Sequence, residues 1–163
     1  MILWKLISII LPHSRYSCLP AGRRDYSMKK VMVFGVFDGI HEGHQVMLKE
    51  AKSLGDYLIV VVAQDHIVEH LKGVLPTIKL TERFEHIQNV DGVDKVLIGD
   101  AHLSTWQVVK RYQPDIIAIG YDQEMLKRDL EKHLTKIGYQ PEIKKLSSFE
   151  PDIRHSSIIK KAH

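Results

Sequence analysis

The chain has 163 residues, 44% hydrophobic and 26% charged. That suits one soluble globular domain and excludes a disordered tail, a collagen and a coiled-coil rod. No run reaches the roughly 18 to 20 apolar residues that span a bilayer. The single cysteine, Cys18, excludes a disulfide framework and a cysteine-based zinc cluster, and suits a reducing, cytoplasmic setting.

The formal charge of +3 belongs to the first 27 residues, where Lys5, Arg15, Arg23 and Arg24 face only Asp25. Of the 23 basic and 20 acidic residues, 19 of each remain in residues 28–163. A neutral body carries no electrostatic footprint for nucleic acid. Ile2–Leu11 is an apolar run broken by Lys5, too short to span a membrane and without the basic start of a signal peptide. A stretch rich in Pro, Gly, Ser and Arg follows it. Residues 1–27 are therefore expected to be a non-native extension upstream of a start at Met28, and residues 28–163 one domain. A short membrane-surface anchor is the alternative for the leader.

From Val31 onward strands and helices alternate. Val31–Val36 is a continuous apolar run, as in a strand buried on both faces. Residues Gly43 to Leu54 have helical spacing, with Gly55 as a C-cap candidate. Tyr57–Ala63 is a second strand and Asp65–Leu71 a short helix. Gly73, Pro76 and Thr77 mark a loop before a helix over Thr81–Val90 with Phe84 and Ile87 inward. Lys95–Ile98 is a third strand. Ser104 and Gln107 form a capping box for a helix to Tyr112, which Pro114 ends. Asp115–Ile119 is a fourth strand, the helix from Asp122 to Ile137 stops at Gly138, Glu142–Leu146 is a fifth strand, and a last helix opens near Ser156. Five strands alternating with helices predict an α/β protein: a Rossmann-like, doubly wound, five-stranded parallel sheet in a single domain. Its ligands belong at the C-terminal ends of the strands.

The strongest chemical signal lies after the first strand, at Gly35-Val36-Phe37-Asp38-Gly39-Ile40-His41-Glu42-Gly43-His44. It has neither the Gly-x-Gly-x-x-Gly of a dinucleotide site nor the Gly-Lys-Ser/Thr of a P-loop. It is a glycine-rich turn feeding a helix N-terminus, with histidines at i and i+3 on one face about 5–6 Å apart. A helix N-terminus attracts phosphate through free N–H groups and its dipole. Gly43 removes a side chain where a base or ribose can pack closely, and two imidazoles can follow the charge of a phosphate chain. His66 and His70 stand at i, i+4 but have no third ligand with motif spacing, so they read as a solvated helix face and no metal site is expected there. Trp106 reads as core.

His41-x-Gly43-His44 after a strand ending in Gly35-x-Phe37-Asp38 resembles the signature of the nucleotidyltransferases that include cytidylyltransferases, pantetheine-phosphate adenylyltransferases and FAD synthases. The resemblance spans residues 29–160. It implies attack of an acceptor phosphate oxygen on the α-phosphorus of a nucleoside triphosphate, with loss of pyrophosphate and no covalent enzyme intermediate. On this resemblance His41 and His44 stabilise transition-state and triphosphate charge, and Asp38 organises the site near the acceptor or magnesium. Gly35, Val36, Phe37 and Gly43 lie along the nucleotide, with a backbone N–H near Phe37 at the α-phosphate. Mg²⁺ would offset the triphosphate charge. Gly120, Tyr121 and Asp122 would hold base and ribose, with Asp122 alternatively an N-cap. His155, Ser156 and Ser157 would meet the β- and γ-phosphates, with capping the alternative for the serines. Lys72 would reach an acceptor phosphate unless it is an ordinary solvated lysine. Arg83 would bind phosphate unless it is a surface salt bridge.

Three stretches resemble the archaeal-type FAD synthases: Val62–Asp65 leading to Leu71-Lys72-Gly73, Pro114–Gln123, and His155-Ser156-Ser157. These imply ATP and FMN as substrates. Glycerol-3-phosphate cytidylyltransferases, which use CTP, are the alternative, and Pro151–Ser157 departs from their Arg-Thr-x-Gly-Ile-Ser-Thr-Thr run. Glu42 departs from the Pro or bulky residue common between the signature His and Gly, and the C-terminal cysteines of the archaeal enzymes are missing. A catalytically silent nucleotide-binding module is the reading from a different class. A redox Rossmann protein lacks its glycine pattern here. The expected partners are small molecules, with no nucleic acid or membrane, and relatives imply a homodimer.

Overall fold

The computed structural model describes residues 28–148. The expected leader, residues 1–27, and the expected last helix near Ser156 lie outside the described residues. Within them the elements run β1 (Lys30–Gly35), α1 (Glu42–Ser53), β2 (Tyr57–Val62), α2 (Asp65–Lys72), α3 (Leu80–Gln88), β3 (Lys95–Ile98), α4 (Gln107–Tyr112), β4 (Ile116–Ile119), α5 (Glu124–Ile137) and β5 (Glu142–Lys145). All five strands are parallel and lie in the order β3-β2-β1-β4-β5.

The apolar runs in β1, β2 and β4 are continuous because these strands lie inside the sheet and bury both faces. Pleat alternation sends Val31, Val33, Val60 and Ala118 to one face, where Leu48 and Ala51 of α1 and Ile87 of α3 cover them. Met32, Ile59, Val61, Ile117 and Ile119 point to the other face, against Val109 of α4, Leu130 and Leu134 of α5, and Trp106. Each fully buried Val, Leu or Ile contributes about 1.5–3 kcal/mol relative to exposure. Helices on both faces make the sheet doubly wound. The strand order turns back between β1 and β4, the switch point at which such sheets open a ligand crevice beyond their C-terminal ends.

Local chemistry differs from the sequence reading at several helix ends. The expected capping box does not form: Ser104 sits at φ +59° and Trp106 occupies the N-cap position of α4 at φ +52°. Asp100 does the capping from outside the helix, accepting the N–H groups of Gln107 at 2.6 Å and Val108 at 3.1 Å. It also accepts the Thr105 hydroxyl at 2.9 Å. Local spacing cannot reveal a cap that arrives from a loop residue seven positions before the helix. Asp100→Ala is expected to lower stability by about 1–2 kcal/mol, measured by urea unfolding. Gly55 is likewise not the C-cap residue, which is Leu54. A Cβ at Gly55 would stand 2.6 Å from the Lys29 carbonyl oxygen, so Gly55 is required by close backbone approach. Gly73 and Gly138 are left-handed C-caps, as glycine readily allows.

Candidate active site

The turn from β1 into α1 occupies the C-terminal edge of the sheet beside the switch point. Phe37 adopts φ +56°, a conformation that disfavours a bulky residue. Its ring is buried and folds back over Gly35, where a Cβ would stand 2.6 Å from Phe37 Cζ. Gly35 therefore makes room for Phe37, and Phe37 in turn packs on His44 with ring centroids 5.3 Å apart.

His41 is the N-cap residue of α1 and makes no side-chain cap bond. Its ring lies over that of His44 with centroids 3.9 Å apart, closer than helix spacing alone implies. Gly43 lies in the first turn between them. The first N–H groups of a helix have no partner inside it, and the His41 side chain does not cap them. This end of α1 combines open N–H donors, a helix dipole and two imidazoles, the composition of an anion site. His44 Nδ1 is buried and has no hydrogen-bond partner among the described residues. Burial, and secondarily the neighbouring His41, hold the His44 imidazole below its ordinary range, while the Gly39 backbone and the Asp122 carboxylate act in the opposite direction. A buried imidazole nitrogen without a partner is costly in a merely structural role.

Asp38 braces this turn. Its two carboxylate oxygens accept the N–H groups of Thr77 and Ile78, each at 2.8 Å, tying the turn to the loop before α3. These backbone donors hold the Asp38 carboxyl below the usual carboxylate range.

Arg83 is a second brace: it is fully buried, which departs from the phosphate contact expected of it and from the alternative of a surface salt bridge. Its guanidinium donates to the carbonyl of Val36 at 2.5 Å and the carbonyl of Ala63 at 2.9 Å, and its Nε donates to the carbonyl of Ile78 at 2.9 Å. It also pairs with the Asp65 carboxylate. Arg83 thus joins the exits of β1 and β2 to the loop before α3, and all four partners belong to the protein. Leu80, Arg83 and Ile87 recur at i, i+3 and i+7, so the stripe that buries α3 includes the arginine. That spacing was the signal available in the sequence.

The exit of β4 completes the edge. Gly120 is buried and Tyr121 exposed. Asp122 does not cap α5: the N-cap residue is Gln123, and no side-chain cap bond forms. Gln123, expected with Gly120, Tyr121 and Asp122 beside base and ribose, accepts the Gly120 N–H through Oε1 and donates from Nε2 to the Phe34 carbonyl, both at 2.9 Å. It pins the ends of β4 and β1 together across the switch point. Lys72 is exposed at the end of α2. His155, Ser156 and Ser157 lie outside the described residues. His66 donates from Nε2 to the Ala101 carbonyl oxygen at 2.8 Å. Among the described residues no cluster of three or more His, Cys, Asp or Glu side chains could hold a metal.

A family model described as cytidylyltransferase-like matches residues 32–162. The chain belongs to the cytidylyltransferase-like family. Similar members include the FAD synthase of Thermococcus sibiricus, 39% identical over 131 residues, spanning 80% of this chain and 88% of that one. The FAD synthase of Pyrococcus horikoshii is 43% identical over 117 residues, spanning 72% and 79%. Among solved structures, one from Thermoplasma volcanium described as a lipopolysaccharide core biosynthesis protein has a TM-score of 0.70 at 36% identity, covering 76% of this chain and 99% of its own. Within this cytidylyltransferase-like fold, the His41–His44 pair stands where the sheet opens its crevice, and no helix among the described residues is long and apolar enough to cross a membrane.

Proposed function

We propose that the chain is an FMN adenylyltransferase that makes FAD. The phosphate oxygen of FMN forms a bond to the α-phosphorus of ATP, the bond from that phosphorus to the bridging oxygen breaks, and pyrophosphate leaves. The observation that carries this reading is the paired His41 and His44 at the uncapped N-terminus of α1, in a chain 39–43% identical to curated FAD synthases. Catalysis then rests on positioning and on stabilising the charge of the five-coordinate phosphorus.

His44, with a free nitrogen in a partly desolvated position, donates to the α-phosphate or the leaving oxygen as charge develops. His41, exposed at the mouth, follows the rest of the triphosphate. The open N–H groups of α1 hold the anion, and Asp38 keeps the turn in place. The Gly120–Asp122 turn receives adenine and ribose, and His155, Ser156 and Ser157 serve the outer phosphates. Lys72 is the cation on the acceptor side. Magnesium enters as part of the substrate: no donor cluster among the described residues makes a protein cage, and Mg²⁺ is commonly carried on substrate phosphates with most of its waters. In this reading the protein works in the cytoplasm on small molecules, as a homodimer, independently of nucleic acid and membrane. The equal numbers of acidic and basic residues in residues 28–163 support the exclusion of nucleic acid.

The test is pyrophosphate release by the full chain with Mg²⁺, comparing ATP plus FMN with CTP plus glycerol 3-phosphate. Release in the first mixture alone, with FAD appearing by chromatography, is expected. Release in the second alone overturns the substrates and keeps the chemistry. Silence in both overturns the enzymatic reading in favour of a binding module.

A further inference from the structure

We infer that the exposed apolar segment Leu71–Leu75 receives the flat ring of the acceptor, so that the ring system as well as the phosphate is recognised. This rests on the reading of the chain as an FMN adenylyltransferase. Leu71, Val74 and Leu75 are 64%, 64% and 59% exposed. They are three large apolar side chains within five residues, on both sides of Lys72 and the left-handed Gly73. Single exposed apolar residues are ordinary, but a group on one segment marks a contact surface.

The segment is tied to the catalytic turn. Two residues beyond Leu75, the N–H groups of Thr77 and Ile78 are held by Asp38, three residues before His41. At about 3.5 Å per residue, Val74 and Leu75 lie within roughly 7–10 Å of that tether along the chain. In FMN a five-carbon ribityl chain separates the phosphate from the ring, which is a comparable reach. The polar end of the acceptor suits the α1 N-terminus, and its broad apolar face suits these side chains. Glycerol 3-phosphate has no such face. A second copy of the chain is the competing occupant, but three side chains fall well short of the roughly 800 Å² per partner of a stable interface.

The test is the double variant Val74→Ser/Leu75→Ser of the full chain. Both side chains are exposed, so its circular dichroism and Tm should match the wild type. The KM for FMN is expected to rise about 10-fold or more, as hydrophobic contacts to a substrate typically discriminate by 10–200-fold per methylene, with the KM for ATP unchanged and kcat retained at saturating FMN. Riboflavin, which carries the ring without the phosphate, should compete with FMN on the wild type and weaken by a similar factor on the variant. An unchanged KM for FMN, in an enzyme whose wild type makes FAD, overturns the inference and leaves the activity standing. A wild type that makes no FAD overturns both. An unchanged KM with a loss of self-association in sedimentation assigns the segment to a second copy and likewise overturns it.

Discussion

Replacing His44 with alanine is expected to lower kcat by about 10²–10³, the equivalent of roughly 2.7–4 kcal/mol, the loss typical of one preorganised donor at a developing oxyanion. The reason is local. His44 Nδ1 has no partner among the described residues, the His41 ring packs on the imidazole at a 31° tilt, and Phe37 closes the other side. The imidazole is held between these two rings and is partly desolvated, so little reorganisation is needed when charge appears. Pyrophosphate release with ATP and FMN measures the effect, and circular dichroism checks that the variant folds. A variant with wild-type kcat would remove His44 from the chemistry.

The same geometry has a consequence for pH. Burial first, and His41 second, depress the His44 pKa below the ordinary value of about 6.5. The unfolded chain then takes up a proton below about pH 6.5 that the folded chain resists, so this contribution to stability is present above that pH and is lost on acidification. An NMR titration of His44 should show a midpoint below 6.5 that moves upward in His41→Asn. A midpoint at or above 6.5 would contradict the desolvated placement.

Arg83→Ala is expected to reduce stability by about 3–5 kcal/mol, the range for removing one partner of a buried ion pair. That is a large share of the roughly 5–15 kcal/mol of a typical domain. The substitution leaves the carbonyls of Val36, Ala63 and Ile78 without their donor and Asp65 without its cation. Each buried acceptor so orphaned costs about 1–3 kcal/mol unless water reaches it. Urea unfolding gives the magnitude. Arg83→Lys keeps the charge beside Asp65 but loses the planar fork that reaches several acceptors at once, so it should fall between the wild type and Arg83→Ala. Activity should fall with both, because Val36 immediately precedes the left-handed Phe37. A loss under about 1 kcal/mol in Arg83→Ala would show that the brace is dispensable.

These two residues differ in how far the chain alone reveals them. His44 stands in a contiguous pattern whose helical position follows from spacing, so its place at a phosphate-binding turn is legible without coordinates. Arg83 interrupts an apolar stripe, and charge normally implies the surface. Only the meeting of three loops supplies enough acceptors to bury a guanidinium. Gln123 is a similar case: it reaches the Phe34 carbonyl that the sheet brings near, and side-chain identity does not disclose a distant carbonyl.

The alternation of strand and helix, the continuous burial of the inner strands and the glycine-rich turn before α1 were all determined along the chain itself. They depend on periodicity, on β-branched runs and on the residues that punctuate them, which are properties of neighbours in sequence. The order β3-β2-β1-β4-β5, the switch point between β1 and β4, and the braces from Asp38, Arg83 and Gln123 were decided only by the tertiary structure. They join groups tens of residues apart, and their pairing depends on which strand ends share an edge once the sheet has closed over its core.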